Sequence, residues 1–271
     1  MNTTSFFKLD RCFLIALLAC FSFCAQAQDW AKTLLEKSPR HGEWVQVKHG
    51  DRSVNCFLVY PESKEKAPAV VVIHEIFGLT DWARSVADRV AESGCIAIAP
   101  DLLSSGTGGS PQTYTGIDDA RKAISALPRE QVLTDLDAVA DYVAKLPAAN
   151  GKIAVAGFCW GGGQSFAFAN HHKDLKASYV FYGPSPDDAS GVANIACPVY
   201  GFYAENDARV DATVPKADEL MKAVGKTYEH ETYPGAGHGF MRAGEAPDAN
   251  DANRKAHDAA WQRWKSLLGK L

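Results

Sequence analysis

Long hydrophobic runs are scarce in this sequence. The 271 residues hold one stretch of note, Cys12 to Ala25, broken only by Ser22. It is shorter than the roughly 20 residues that span a bilayer. Cysteine is sparse as well, and seven in the whole chain are too few to build a small domain from disulfides. Blocks of Lys and Arg are missing. With 28 basic against 32 acidic residues the formal charge is −4, so nucleic acid is not an expected partner. There is no H-E-x-x-H, C-x-x-C, P-loop or G-x-G-x-x-G pattern. A metal centre or nucleotide cofactor therefore has no motif to rest on, and no cofactor is expected. A composition of 46% hydrophobic and 22% charged residues excludes disordered, collagen-like and coiled-coil classes.

The amino terminus reads as a leader. Lys8 and Arg11 precede the apolar stretch, and Ala25-Gln26-Ala27 places small residues where a signal peptidase needs them. Cleavage after Ala27 predicts a periplasmic or secreted protein, free of the membrane, with one domain over residues 28–271. An uncleaved anchor, or a lipoprotein signal ending at Leu17-Leu18-Ala19-Cys20, are the competing readings. Cleavage removes Cys12, Cys20 and Cys24 and leaves Cys56, Cys95, Cys159 and Cys197.

Periodicity sets the fold class. Residues 42–60 read as a hairpin, with Val54, Cys56, Leu58 and Tyr60 at period two after a turn at His49-Gly50-Asp51-Arg52. Residues 70–73 are a continuous β-branched run, as in a strand covered on both faces. Further strands are expected at 95–99 (stopped by Pro100), 153–156, 178–182, 197–204 and 227–233. Helices are expected at 80–93, 129–146, 160–171, 215–224 and 253–268. Residues 104–116, rich in Ser, Gly and Thr, read as a long loop, and the 104–127 segment is expected to cover the site. Strands alternating with helices predict an α/β fold with a mostly parallel sheet and helices on both faces.

Gly157-Phe158-Cys159-Trp160-Gly161 falls between a predicted strand and a predicted helix. A G-x-C-x-G sequence there suits a sharp turn that holds a nucleophile in a strained conformation. Glycines two before and two after leave room for the turn to close. The following helix turns its N-terminus toward the sulfur, which favours a thiolate. A buried structural cysteine in a glycine-rich turn is the alternative.

A cysteine nucleophile needs a base and an acid, expected in the order Cys, Asp, His. Asp207 follows the strand at 197–204, with Glu205 and Asp211 as local competitors. His238 lies among glycines in Pro234-Gly235-Ala236-Gly237-His238-Gly239, a poor packing environment that suits a base. His74-Glu75-Ile76-Phe77-Gly78 follows the 70–73 strand. The amides of Ile76 and Trp160 are expected to form an oxyanion hole, with Glu75 close to Cys159.

These motifs, with Pro100-Asp101-Leu102 and Gly237-His238-Gly239-Phe240, resemble the dienelactone hydrolase family of α/β-hydrolases over about residues 42–268. The resemblance implies Cys159 as nucleophile, His238 as base and Asp207 as orienting acid. It implies Glu75 as a carboxylate that engages and helps activate the cysteine, and Arg242 as the arginine that holds a substrate carboxylate. Arg121 is the candidate for the second arginine that the family carries before the long helix. The expected function is hydrolysis of a small ester or lactone through an acyl-enzyme by a monomer. A catalytically weak binder of small organic acids is the competing reading. A redox role for Cys159 ranks last, because Cys56, Cys95 and Cys197 are placed in strands away from the sheet top.

Overall fold

The computed structural model describes residues 29–104 and 117–271. The expected leader and nearly all of the expected 104–116 loop lie outside the described residues. Eight strands form one sheet: β1 (Gly42–His49), β2 (Arg52–Val59), β3 (Ala67–Ile73), β4 (Ile96–Asp101), β5 (Ala149–Phe158), β6 (Leu175–Phe181), β7 (Val199–Asn206) and β8 (Tyr228–Gly237). Their order is β1-β2-β4-β3-β5-β6-β7-β8. The β1–β2 hairpin joins β4 antiparallel, and β3 to β8 run parallel. The mostly parallel α/β sheet expected from the sequence is the one observed.

The helices are α1 (Asp29–Lys37), α2 (Asp81–Glu92), α3 (Ile117–Ser125), α4 (Arg129–Ala144), α5 (Trp160–His171), α6 (Ala208–Asp211), α7 (Val214–Ala223), α8 (Phe240–Ala243) and α9 (Asp251–Leu268), with a 3-10 turn at Ala189–Gly191. Side-chain alternation along β3 shows why both faces carry helices. Val71 and Ile73 enter a core formed with Val132, Leu136 and Val139 of α4 and Phe166 of α5. Val70 and Val72 point the other way, toward Trp82 and Val86 of α2 and Trp261 and Trp264 of α9. A β-branched run is what a strand buried on both sides requires. Among the described residues no helix is long and apolar enough to cross a membrane.

Several strand boundaries differ by a few residues from the sequence expectation, and three of the differences have a clear physical reason. β4 runs through Pro100 rather than stopping there. Its neighbour β3 pairs with it only as far as Ile98, so the missing N–H of Pro100 removes no ladder bond on that side. β5 starts at Ala149 and not at 153, because Ala67 of β3 already pairs with Ala149. β8 continues past 233 to Gly237, with a register shift against β7 between Ala204 and Asn206. It is an edge strand, where Pro234 is tolerated.

The topology locates the site. β4 lies on one side of β3 and β5 on the other, so the winding reverses between β3 and β5. At such a switch point a crevice opens beyond the carboxyl ends of the strands. The chain leaves β3 into the Glu75 segment and leaves β5 into Cys159. Beneath them an aromatic column stiffens the floor. Phe158 stacks on Phe181 at 4.5 Å, Phe181 on Phe202 at 4.2 Å, and Trp264 meets Phe181 edge-on at 4.8 Å. Each such pair contributes about 0.5–1.5 kcal/mol beyond the area it buries.

Candidate active site

Cys159 has φ 55° and ψ −116°, a conformation that is rare and strained for a residue with a side chain. Its N–H donates to the Phe181 carbonyl at 3.0 Å, and its own carbonyl accepts from Gly162 N–H at 3.0 Å. The turn needs its two flanking glycines for close approach. A Cβ on Gly157 would stand 1.9 Å from the Gly161 carbonyl oxygen, and one on Gly161 would stand 2.4 Å from that of His74. The second contact brings the end of β3 against the elbow.

His238 and Asp207 arrive from the last two strands. Asp207, buried just after β7, caps α6, and His238 follows β8. His238 Nδ1 lies 2.5 Å from Asp207 Oδ2, and its Nε2 lies 3.1 Å from Cys159 Sγ. Burial works against charge on the imidazole. The hydrogen bonds and charges of Cys159 and Asp207 outweigh it and raise the His238 pKa to about 9. The local rivals of Asp207 have other surroundings. Glu205 accepts from the Gly235 N–H at 2.7 Å. Asp211 has a buried oxygen without a hydrogen-bond partner, and burial beside Asp207 and Glu205 raises its pKa.

Glu75 is buried, and its two oxygens are taken by different partners. Oε2 accepts from Arg242 Nε at 2.8 Å, and Oε1 accepts from the Tyr182 hydroxyl at 3.3 Å. The hydrogen-bond partner of Sγ is His238 rather than Glu75, so the expected engagement of the cysteine by Glu75 is replaced here by an ion pair with Arg242. The Arg242 guanidinium also lies 5.2 Å from the Phe77 ring centroid. Two residues expected to touch substrate or sulfur are thus matched to each other across 167 positions of sequence.

Arg121 stands apart. It sits on α3, exposed, 3.8 Å from Asp118 one turn earlier. The buried side of α3, Ala120 and Ile124, packs with Leu103 against Ile76 and Trp160. The helix therefore lies over the expected oxyanion side while Arg121 faces outward. Among the described residues neither the Ile76 N–H nor the Trp160 N–H donates to a protein acceptor.

Tyr182 is the residue that sequence reading missed. It is buried, adopts φ 38°, bonds Glu75 and sets its ring edge-on to His238 at 5.2 Å. Burial pushes its hydroxyl well above the usual tyrosine range, so it donates and does not ionise. An aromatic at the end of an apolar strand reads as core. The one available signal was the Gly183 that follows.

Cys56, Cys95 and Cys197 are buried and form no disulfide, and burial raises the thiols of Cys95 and Cys197 to about 11. Cys56 corrects one expectation. It pairs in register with Pro100 near the carboxyl end of β4, so it lies at the level of the sheet top, although on β2.

The comparisons agree with this architecture. The dienelactone hydrolase family profile matches residues 54–271. A Methylorubrum extorquens protein provisionally named carboxymethylenebutenolidase is 30% identical, covering 72% of this chain and 71% of its own. A Saccharolobus solfataricus protein of the same provisional name is 30% identical, over 80% of this chain and 94% of its own. A Klebsiella pneumoniae crystal structure, provisionally described as a dienelactone hydrolase, superimposes with a TM-score of 0.75. It is 26% identical and covers 86% of this chain and 99% of its own. A strand-turn-helix elbow at the switch point, a hydrogen-bonded Asp-His-Cys line and a match over most of the chain lead to one conclusion: the protein belongs to the dienelactone hydrolase family of α/β-hydrolases and is a hydrolase acting on esters.

Proposed function

We propose that the protein cleaves a small ester or lactone carrying a carboxylate, through an acyl-enzyme on Cys159. The observation that carries this reading is the unbroken line Asp207–His238–Cys159, at 2.5 and 3.1 Å. With its pKa near 9, His238 is an imidazolium at neutral pH. That imidazolium and the N-terminus of α5 both adjoin Sγ, the atom that attacks and later departs.

Sγ attacks the carbonyl carbon, and the carbonyl π pair moves to oxygen. The N–H groups of Ile76 and Trp160, which have no protein acceptor among the described residues, receive that oxyanion. On collapse the C–O bond to the leaving alcohol breaks, and His238 Nε2 supplies the proton that the alkoxide takes. The imidazole, now neutral, accepts a proton from water as the oxygen attacks the thioester. Sγ leaves as thiolate beside a regenerated imidazolium. One ester and one water give one acid and one alcohol.

Arg242 is the group for the substrate carboxylate, since guanidinium and carboxylate pair in a planar fork. Its existing bond to Glu75 ties recognition to activation. An arriving carboxylate shares the guanidinium, weakens its hold on Glu75 and leaves that carboxylate available to the cysteine. The leader-like sequence of residues 1–27 supports the further proposal that this chemistry takes place in the periplasm or outside the cell. Amino-terminal sequencing of the exported protein would then begin at Gln28.

The test is turnover of activated esters and lactones, with and without a free carboxylate, by wild type and Cys159→Ala. Activity that falls by at least about 10³-fold in the variant is expected. Full activity in a folded Cys159→Ala overturns the mechanism, and tight binding of carboxylates without turnover by wild type would favour the binder.

A further inference from the structure

His74 precedes the Glu75-Ile76 peptide, is completely buried, and plays no part in the line from Asp207 to Cys159. Its ring touches three things. Nδ1 lies 2.7 Å from the Glu75 carbonyl oxygen. Nε2 lies 3.4 Å from the Leu102 backbone nitrogen. The ring face stacks on the Trp160 indole, with centroids 5.7 Å apart and planes 17° from parallel.

The partners dictate the tautomer. A carbonyl only accepts, so Nδ1 carries the proton and donates. A backbone N–H only donates, so Nε2 is bare and accepts. This is a neutral imidazole, and burial indeed lowers the His74 pKa to about 4.

The bond to the Glu75 carbonyl has a geometric consequence. That oxygen and the Ile76 N–H belong to one planar trans peptide and point in opposite directions. Fixing the oxygen fixes the direction of the N–H. The same oxygen also accepts from Gly78 N–H at 3.2 Å, which closes the turn on the other side. Meanwhile the ring face bears on Trp160, the residue that carries the second N–H of the pair. A Cβ on Gly161 would stand 2.4 Å from the His74 carbonyl oxygen and 2.6 Å from that of Ile73, so the two segments are already pressed together beside the ring.

We propose that His74 is the positioning residue of the oxyanion hole: one buried imidazole orients the Ile76 N–H by holding the far end of its peptide, and sets the Trp160 segment against it by stacking. The inference rests on the acyl-enzyme reading above, in which those two N–H groups receive the oxyanion. Its effect is confined to the transition state, because a tetrahedral oxyanion needs the two donors aimed together and a ground-state ester does not.

The experiment compares wild type, His74→Phe and His74→Asn on an ester and its thionoester, in which sulfur replaces the carbonyl oxygen. Sulfur is larger and a weaker acceptor, so an ordered hole discriminates against it. Wild type is expected to favour the oxygen ester by at least about tenfold. His74→Phe keeps the stack but not the bonds. It is expected to lose about 30-fold in kcat, a fraction of what loss of a whole donor costs, with KM within about threefold. Its oxygen-over-sulfur preference should fall toward unity, and His74→Asn, which keeps a donor near the Glu75 carbonyl, should recover part of both. Alkylation of Cys159 by iodoacetamide should stay within about threefold throughout, since the line to Asp207 is untouched. An unchanged preference in folded His74→Phe, or a fall in alkylation matching the fall in kcat, overturns the proposal. A wild type without any preference overturns the oxyanion reading beneath it. Circular dichroism establishes folding, and if His74→Phe is unfolded the same ratio is read on His74→Gln.

Discussion

Arg242 Nε and Glu75 Oε2 lie 2.8 Å apart, joining α8 to the segment that follows β3. Each is the other's charge partner, and Tyr182 holds the second Glu75 oxygen. A buried carboxylate without its cation is costly, so this pair sets how the site responds to substitution. Arg242→Gln is expected to raise KM for carboxylate-bearing substrates by about 10–100-fold and for neutral esters by less than about threefold. The double variant Arg242→Gln/Glu75→Gln should melt higher than Arg242→Gln alone, because it removes the uncompensated charge. Steady-state kinetics on matched substrate pairs and thermal melts check both.

Asp207 should be separable from its neighbours. Asp207→Asn is expected to lower kcat at least about 10²-fold, because the amide can present a donor where His238 Nδ1–H needs an acceptor. Asp211→Asn and Glu205→Gln should each stay within about threefold of wild type. Single-turnover assays on the three variants decide which carboxylate orients the imidazole.

The pH profile follows from His238. Its pKa is raised, so the protonated form dominates below about 9 and is lost above it. That form supplies the proton to the leaving alcohol. The rate on an alkyl ester should fall as pH rises through about 9, whereas a nitrophenyl ester, whose leaving group needs little protonation, should show a much shallower decline. A common alkaline limb for both substrates would count against the imidazolium as the acid.

Gly157 tests the elbow itself. A methyl group there meets the Gly161 carbonyl oxygen at 1.9 Å, and that atom is backbone and cannot swing aside. Gly157→Ala is expected to destabilise the fold by about 3 kcal/mol or more, at the upper end of overpacking costs. Urea unfolding measures it. Gly50→Ala is the control for strain alone, since it has φ 50° and nothing within 4 Å of a new Cβ.

Much of this fold was legible because its signals are local. The β-branched residues 70–73 declare a doubly covered strand, and α4 shows its apolar face through Val132, Leu136, Val139 and Val143. The elbow is legible because glycines mark close approach on both sides of Cys159. What stayed hidden depends on distance in sequence. The Arg242–Glu75 pair spans 167 residues, and neither residue carries a mark of the other. Tyr182 passes for core because an aromatic at a strand end is ordinarily core. The four-residue helices α6 and α8 are too short to show a period. β8 outruns its apolar pattern because, on an edge, its residues need not be buried to keep pairing with β7.

The measurement that reaches the central claim most directly is mass spectrometry of the enzyme quenched in acid during the first turnovers of an activated ester. The account predicts a mass increase equal to one acyl group, carried by the peptide containing Cys159 and absent from Cys159→Ala. Turnover by wild type with no acyl group on that peptide, or an acyl group that persists in a folded and active Cys159→Ala, would contradict it.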